Sequence, residues 1–155
     1  MRIILLALVS LCGPACAKVT LRINDAPAVV LAASDLAKLP RHTAVLDDHG
    51  KQVSYEGALL RDLLAQNGVS FEKGLHGKQL ASYVAAVASD GYEVVFALGD
   101  FDPTIMDSDI LMADKREGRA LDSKEGPLRI VVPHDKRPAR SLRMLQEIDV
   151  VQLRK

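Results

Sequence analysis

Tyr83-Val84-Ala85-Ala86-Val87-Ala88-Ser89-Asp90-Gly91-Tyr92-Glu93-Val94-Val95-Phe96-Ala97-Leu98 places two β-rich runs on either side of Ser89-Asp90-Gly91, a tripeptide suited to a tight turn. The same strand–turn–strand pattern recurs upstream, where residues 43–46 and 52–55 flank Asp47-Asp48-His49-Gly50. Nearer the start, Val19, Leu21 and Ile23 alternate with polar residues as in a half-buried strand. Asn24-Asp25-Ala26-Pro27 then turns the chain into the apolar Val29-Val30-Leu31. Downstream, residues 110–113 and 128–132 read as strands separated by a charged excursion over 114–126, which is expected to be polar loop. Residues 148–153 read as a last strand whose buried face the alternation leaves open.

Helical spacing is scarcer. Leu59, Leu60, Leu63 and Leu64 recur with a helical period, and Asn67-Gly68 supplies a C-terminal cap. Ser34 is placed to cap a short helix over 35–39 that stops at Pro40, and residues 100–106 read as a helical turn. No repeat, low-complexity tract or long linker interrupts residues 18–155, so they are expected to form a single domain of mixed α and β structure, with more strand than helix.

Residues 1–17 read differently. Arg2, an apolar stretch over 3–11, Gly13-Pro14 and the small triplet Ala15-Cys16-Ala17 have the layout of a secretory signal peptide cleaved after Ala17. The apolar run is short of the roughly 20 residues that span a bilayer. Export to the periplasm or beyond, with no membrane span, is therefore expected; a lipid anchor at Cys16 is the alternative, though no leucine precedes it in the usual place. Cleavage would leave 138 residues and remove both cysteines, Cys12 and Cys16. The remaining chain has no cysteine nucleophile, thiolate ligand or disulfide.

With 20 basic and 20 acidic side chains in 155 residues, the sequence offers no net field to hold a polyanion, which argues against nucleic-acid binding. His42, His49, His76 and His134 lack a compact metal-binding spacing, and no serine sits in a glycine-flanked elbow. Two features could hold a ligand. Asp90, ahead of Gly91 and Tyr92, could accept N–H groups at the turn or bond its own backbone. After the strand at 128–132, Lys136, Arg137, Arg140 and Arg143 crowd one loop that could grip an anionic or planar heterocycle or form a solvated basic surface.

Four pieces in order resemble the oxidoreductase molybdopterin-binding (sulfite-oxidase-like) domain family. They are Leu36-Ala37-Lys38-Leu39-Pro40 with Arg41-His42-Thr43; Tyr55-Glu56-Gly57 with the leucine-rich residues after it; Ala88-Ser89-Asp90-Gly91-Tyr92 with Val95-Phe96; and Gly126-Pro127-Leu128-Arg129 through Arg143. The resemblance implies a truncated fold of this type, a mixed β-sheet with short helices, built in the enzymes around a pterin whose dithiolene carries molybdenum. It also implies a cysteine ligand on the strand ahead of Tyr55-Glu56-Gly57, yet residues 41–54 contain none, so neither molybdenum nor catalysis of that type is expected. Family members often carry a tryptophan after the loop arginine, where Ser141 stands here.

Small exported proteins of this family bind pterins, and some act as ligand-dependent partners of membrane enzymes that make or degrade cyclic di-GMP. Transferred on that basis, the expected function is a non-catalytic periplasmic binding module for a pterin or molybdopterin-like ligand. Asp90, Gly91, Tyr92, Lys136, Arg140 and Arg143 are the expected site, and the external part of a membrane protein is the expected partner. The alternatives are a molybdopterin-dependent oxidoreductase, or a subunit of one, and a periplasmic interaction domain without a small ligand.

Overall fold

In the computed structural model, which describes residues 17–71, 73–106 and 109–152, the alternation at Val19, Leu21 and Ile23 becomes strand β1 (Lys18–Ile23). The turn at 24–26 returns the chain as β2 (Val29–Ala32), antiparallel to β1. Four more of the strands are paired by hairpins that the sequence signals. β3 (His42–Asp48) and β4 (Lys51–Leu59) meet at His49-Gly50, where both residues have positive φ, and β5 (Tyr83–Ala88) and β6 (Glu93–Ala97) meet at Ser89-Asp90-Gly91. The strands are completed by β7 (Leu111–Arg116), β8 (Arg119–Ala120), β9 (Arg129–Val131) and β10 (Leu145–Val151).

Two sheets form where one mixed sheet was expected. The first runs β2-β1-β10-β5-β6 and is mixed because β1 and β10 pair parallel, while the second joins β3, β4, β7, β8 and β9 and is antiparallel throughout. The β1–β10 pairing joins the two ends of the domain, a long-range contact that no local signal announces. It also settles the face of β10: Ile148 and Val150 point inward, and Leu153 lies outside the described residues.

Three local expectations change. The excursion over 114–126 is not all loop, because β7 continues to Arg116 and returns as β8 through Glu117-Gly118, both at positive φ. Helix α1 spans Ala33–Leu36, so Ser34 lies inside it, and Asp35 Oδ2 satisfies the Ala32 N–H at 3.1 Å instead. Leu59 ends β4 and is not helical; α2 is Leu60–Gln66, followed by Gly68 at φ +96°. The leader read over 1–17 lies outside the described residues except for Ala17.

The main core fills the space between the first sheet, α2 and one face of the second sheet, with Val19, Leu21, Leu63, Leu64, Val84, Phe96, Phe101, Met112, Ile130, Ile148 and Val150 buried in it. The other face of the second sheet carries a smaller cluster that includes Leu46, Val53, Tyr55, Leu59, Leu111 and Val131. Gly57 lets β4 and β7 approach at a bulge, since a Cβ there would lie 2.0 Å from the Met112 carbonyl oxygen. The second sheet is thereby a wall shared by the two clusters, and the candidate site lies against its smaller one.

Candidate functional site

The β5–β6 turn is held by Gly91 N–H donating to the Ala88 carbonyl at 3.0 Å, with Gly91 at φ +85°. A Cβ at Gly91 would meet no other part of the chain within 4 Å, so within the fold glycine serves the backbone conformation of the turn. Asp90 Oδ1 accepts from the Tyr92 N–H at 3.0 Å, bonding its own turn. Tyr92 then reaches across and donates from Oη to the Ala139 carbonyl at 2.9 Å, tying the turn to the 3₁₀ segment Pro138–Arg140. Between them lies a cavity of about 300 Å³ walled by Asp90, Tyr92, Pro138, Ser141 and Arg143, among others.

Asp90, Tyr92 and Arg143 are thus brought together, whereas Gly91, Lys136 and Arg140 do not line this cavity. Lys136 is exposed on the loop. Arg140 is already occupied: Nε and Nη2 donate to Asp135 at 2.8 and 2.5 Å, Nη1 donates to Asp100 at 3.3 Å, and the guanidinium lies 5.2 Å over the Phe96 ring. Its hydrogen bonds to Asp135 hold it above the ordinary guanidinium pKa against the pull of burial. Arg140 braces the loop against β6.

A second cavity of about 200 Å³ shares Pro138, Ser141 and Arg143 with the first and adds Leu46, Asp48, His49, Glu125 and Arg129. Here the second sheet buries charge. Arg129 on β9 lies 4.6 Å over the ring of Tyr55 on β4, donates from Nη1 to Tyr55 Oη at 2.9 Å and from Nη2 to the Ser141 carbonyl at 3.3 Å. Glu125 accepts from Arg116 Nη1 at 2.5 Å and lies 3.1 Å from Arg129 Nη1. Burial pushes the Tyr55 phenol pKa up, so it stays protonated beside these cations. Glu125 Oε2 and Arg129 Nε are buried without a hydrogen-bond partner.

Of the five buried polar side chains among the described residues, Glu125, Arg129 and Ser141 border this cavity. Ser141 Oγ accepts from the Val132 N–H at 3.0 Å while its carbonyl holds Arg129, so it organises the arginine instead of supplying a ring. Sequence reasoning passed over Arg129, Glu125, Arg116 and Tyr55. One signal was available: a charge inside the apolar run 128–132, in a strand buried on both faces, must find partners there.

Larger cavities of about 720 and 430 Å³ flank Gly126-Pro127. Their walls include Ala17, Ala33, Leu121, Val30 and Leu145, and no buried charge converges on them. Size favours them, and the larger is also lined by Asp114, Lys115, Asp122 and Ser123; what sets the smaller pair apart is the buried charge of Glu125 and Arg129.

Residues 39–155 match the oxidoreductase molybdopterin binding domain, and the chain belongs to that family. Its fold is similar to that of the sulfane dehydrogenase SoxCD from Paracoccus pantotrophus, with a TM-score of 0.65 and 19% sequence identity over 87% of this chain. The chain spans only 38% of that protein's length. No curated protein matches the sequence.

The family's pterin-type cofactor finds a fit in part. Two adjoining cavities, one of them bordered by the buried Arg129 whose Nε has no hydrogen-bond partner, suit the edge of a planar heterocycle. Residues 18–155 contain no cysteine and so offer no thiolate to a metal carried by such a cofactor. No helix among the described residues is long and apolar enough to cross a membrane.

Proposed function

We propose that this chain is a non-catalytic binding module for a pterin or molybdopterin-like heterocycle, exported to the periplasm with removal of residues 1–17. The observation that carries the reading is the Tyr92–Ala139 hydrogen bond, which closes the β5–β6 turn onto the basic loop and leaves a cavity edged by Asp90, Tyr92 and Arg143. In this reading Tyr92 packs against the heterocycle, the free oxygen of Asp90 accepts a ring N–H, and Arg143 faces a polar substituent. Family membership supports the ligand class, and the lack of any thiolate after residue 17 supports binding without redox chemistry. Lys136 extends the positive surface of the loop, while Gly91 sets the turn and Arg140 braces the loop through Asp135.

The resemblance also supports a partner: the external part of a membrane enzyme that makes or degrades cyclic di-GMP, engaged when the ligand is bound. One competing reading, an oxidoreductase or a subunit of one, draws on the family description, and stoichiometric molybdenum in the purified protein would establish it.

Fluorescence titration with 6-hydroxymethylpterin tests the site. Asp90→Ala and Arg143→Ala are each expected to weaken binding by about tenfold, the loss of one hydrogen bond to a charged group, with little change in Tm. Wild-type affinity in both variants would remove this cavity from the site and move the ligand to the larger cavities at Gly126-Pro127.

A further inference from the structure

The carboxylate of Glu125 lies between the guanidinium groups of Arg116 and Arg129. Neither arginine relies on it alone for its position. Arg129 is fixed by the Tyr55 ring, Tyr55 Oη and the Ser141 carbonyl, and Arg116 lies 5.9 Å over the same ring with Asp48 at 3.8 Å. Two planar forks converging on one carboxylate is the arrangement that takes a carboxylate or phosphate from solution.

We propose that Glu125 is an internal substitute for that anion. Its carboxylate fills the oxyanion position of the cradle, so the cavity accepts a neutral heterocycle and turns away one with a phosphate tail. The inference rests on reading this cavity as a pterin site. The remaining charged side chains of the wall, Asp48 and Arg143, offset each other. An entering phosphate would meet a buried carboxylate of like sign, and the arginines have little unspent charge to offer. The imperfect fit of Glu125 has a cause in the chain. Its N–H is tied to Asp122 Oδ1 at 3.0 Å and its carbonyl to the Met144 N–H at 2.9 Å, so the carboxylate settles less freely than a dissolved oxyanion: Oε2 lies 3.1 Å from Arg129 Nη1 without a hydrogen bond to it, and Arg129 Nε has no partner.

The test uses inorganic pyrophosphate with no pterin present, titrated calorimetrically into the wild type and Glu125→Gln. The variant is expected to bind at least about tenfold more tightly than the wild type and to gain Tm as pyrophosphate is added, while the wild type does not. A variant that folds only when pyrophosphate is supplied supports the same conclusion. Equal binding by both proteins, or a variant that pyrophosphate neither binds nor restores, overturns it. Parallel titrations with 6-hydroxymethylpterin and its phosphate ester separate the two readings. Wild-type preference for the free alcohol, reversed in Glu125→Gln, supports both. Pyrophosphate binding gained without any pterin binding keeps the substitute anion and removes the pterin.

Discussion

The two faces of the second sheet are built on opposite rules. Toward the main core, Ala58, Met112 and Ile130 pack with Leu63, Leu64, Phe96 and Phe101, and the one buried carboxylate nearby, Asp102, is fully matched. It accepts from the Leu75 N–H at 2.5 Å, the Thr104 N–H at 2.8 Å and Thr104 Oγ1 at 2.7 Å. On the opposite face, Tyr55 shares its space with Arg129, Glu125 and Arg116, and beside a cavity Glu125 Oε2 is held only by ion pairing while Arg129 Nε has no partner. A fold has no need of buried charge for stability alone, and an apolar replacement of similar volume is often as stable. The side that retains imperfectly matched charge is therefore the side where a ligand is to be sought.

The strongest way to break this contrast is Arg129→Met, which leaves Glu125 buried with one partner fewer. The expected loss is about 3–5 kcal/mol in urea unfolding, with much of it recovered in the double variant Arg129→Met/Glu125→Gln. Equal losses in single and double variants would show that Arg129 acts through packing. In the apolar core, Leu64→Ala should cost about 2–5 kcal/mol by leaving a cavity, yet leave pterin affinity of the folded protein unchanged.

Acid sharpens the comparison further. Burial alone would raise the Asp102 pKa, but the hydrogen bonds from Leu75 and Thr104 outweigh it and hold the carboxyl below its ordinary value of 3.8. A folded value below the unfolded one means that this contribution is complete above pH 3.8 and is lost as pH falls through the folded value. Asp102→Asn should lower stability at pH 7 by about 1.5–3 kcal/mol, as expected for hydrogen bonds to a charged group, and flatten the Tm profile between pH 5 and pH 2. The same steepness in variant and wild type would assign the acid response to other carboxylates. The smallest effect is expected at Tyr92→Phe: the exposed bond to Ala139 is worth about 1 kcal/mol or less in unfolding, while its loss loosens the cavity and weakens pterin binding several-fold.

Much of this scaffold was legible in the sequence because its signals are local. The hairpins at His49-Gly50 and Ser89-Asp90-Gly91 announce themselves by turn chemistry, and α2 by its leucine spacing and Asn67-Gly68. The parallel pairing of β1 with β10 does not, since its partners are more than 120 residues apart. Glu117-Gly118 hid a hairpin within a charged stretch, and with it the path that carries Arg116 and Glu125 to Tyr55. At the site, counting cations in the 136–143 loop gathered Lys136, Arg140 and Arg143 alike, but local charge density does not distinguish an exposed lysine, a salt-bridged brace and a cavity wall. That distinction depends on Asp135, Asp100 and Tyr92, which only the folded chain places.

Native mass spectrometry of the protein recovered from the periplasm, paired with elemental analysis for molybdenum, tests the central claim most directly. The account predicts a retained pterin without phosphate and without stoichiometric molybdenum. Stoichiometric molybdenum on a phosphorylated pterin, or folded protein that neither carries a pterin nor takes one up, would contradict it.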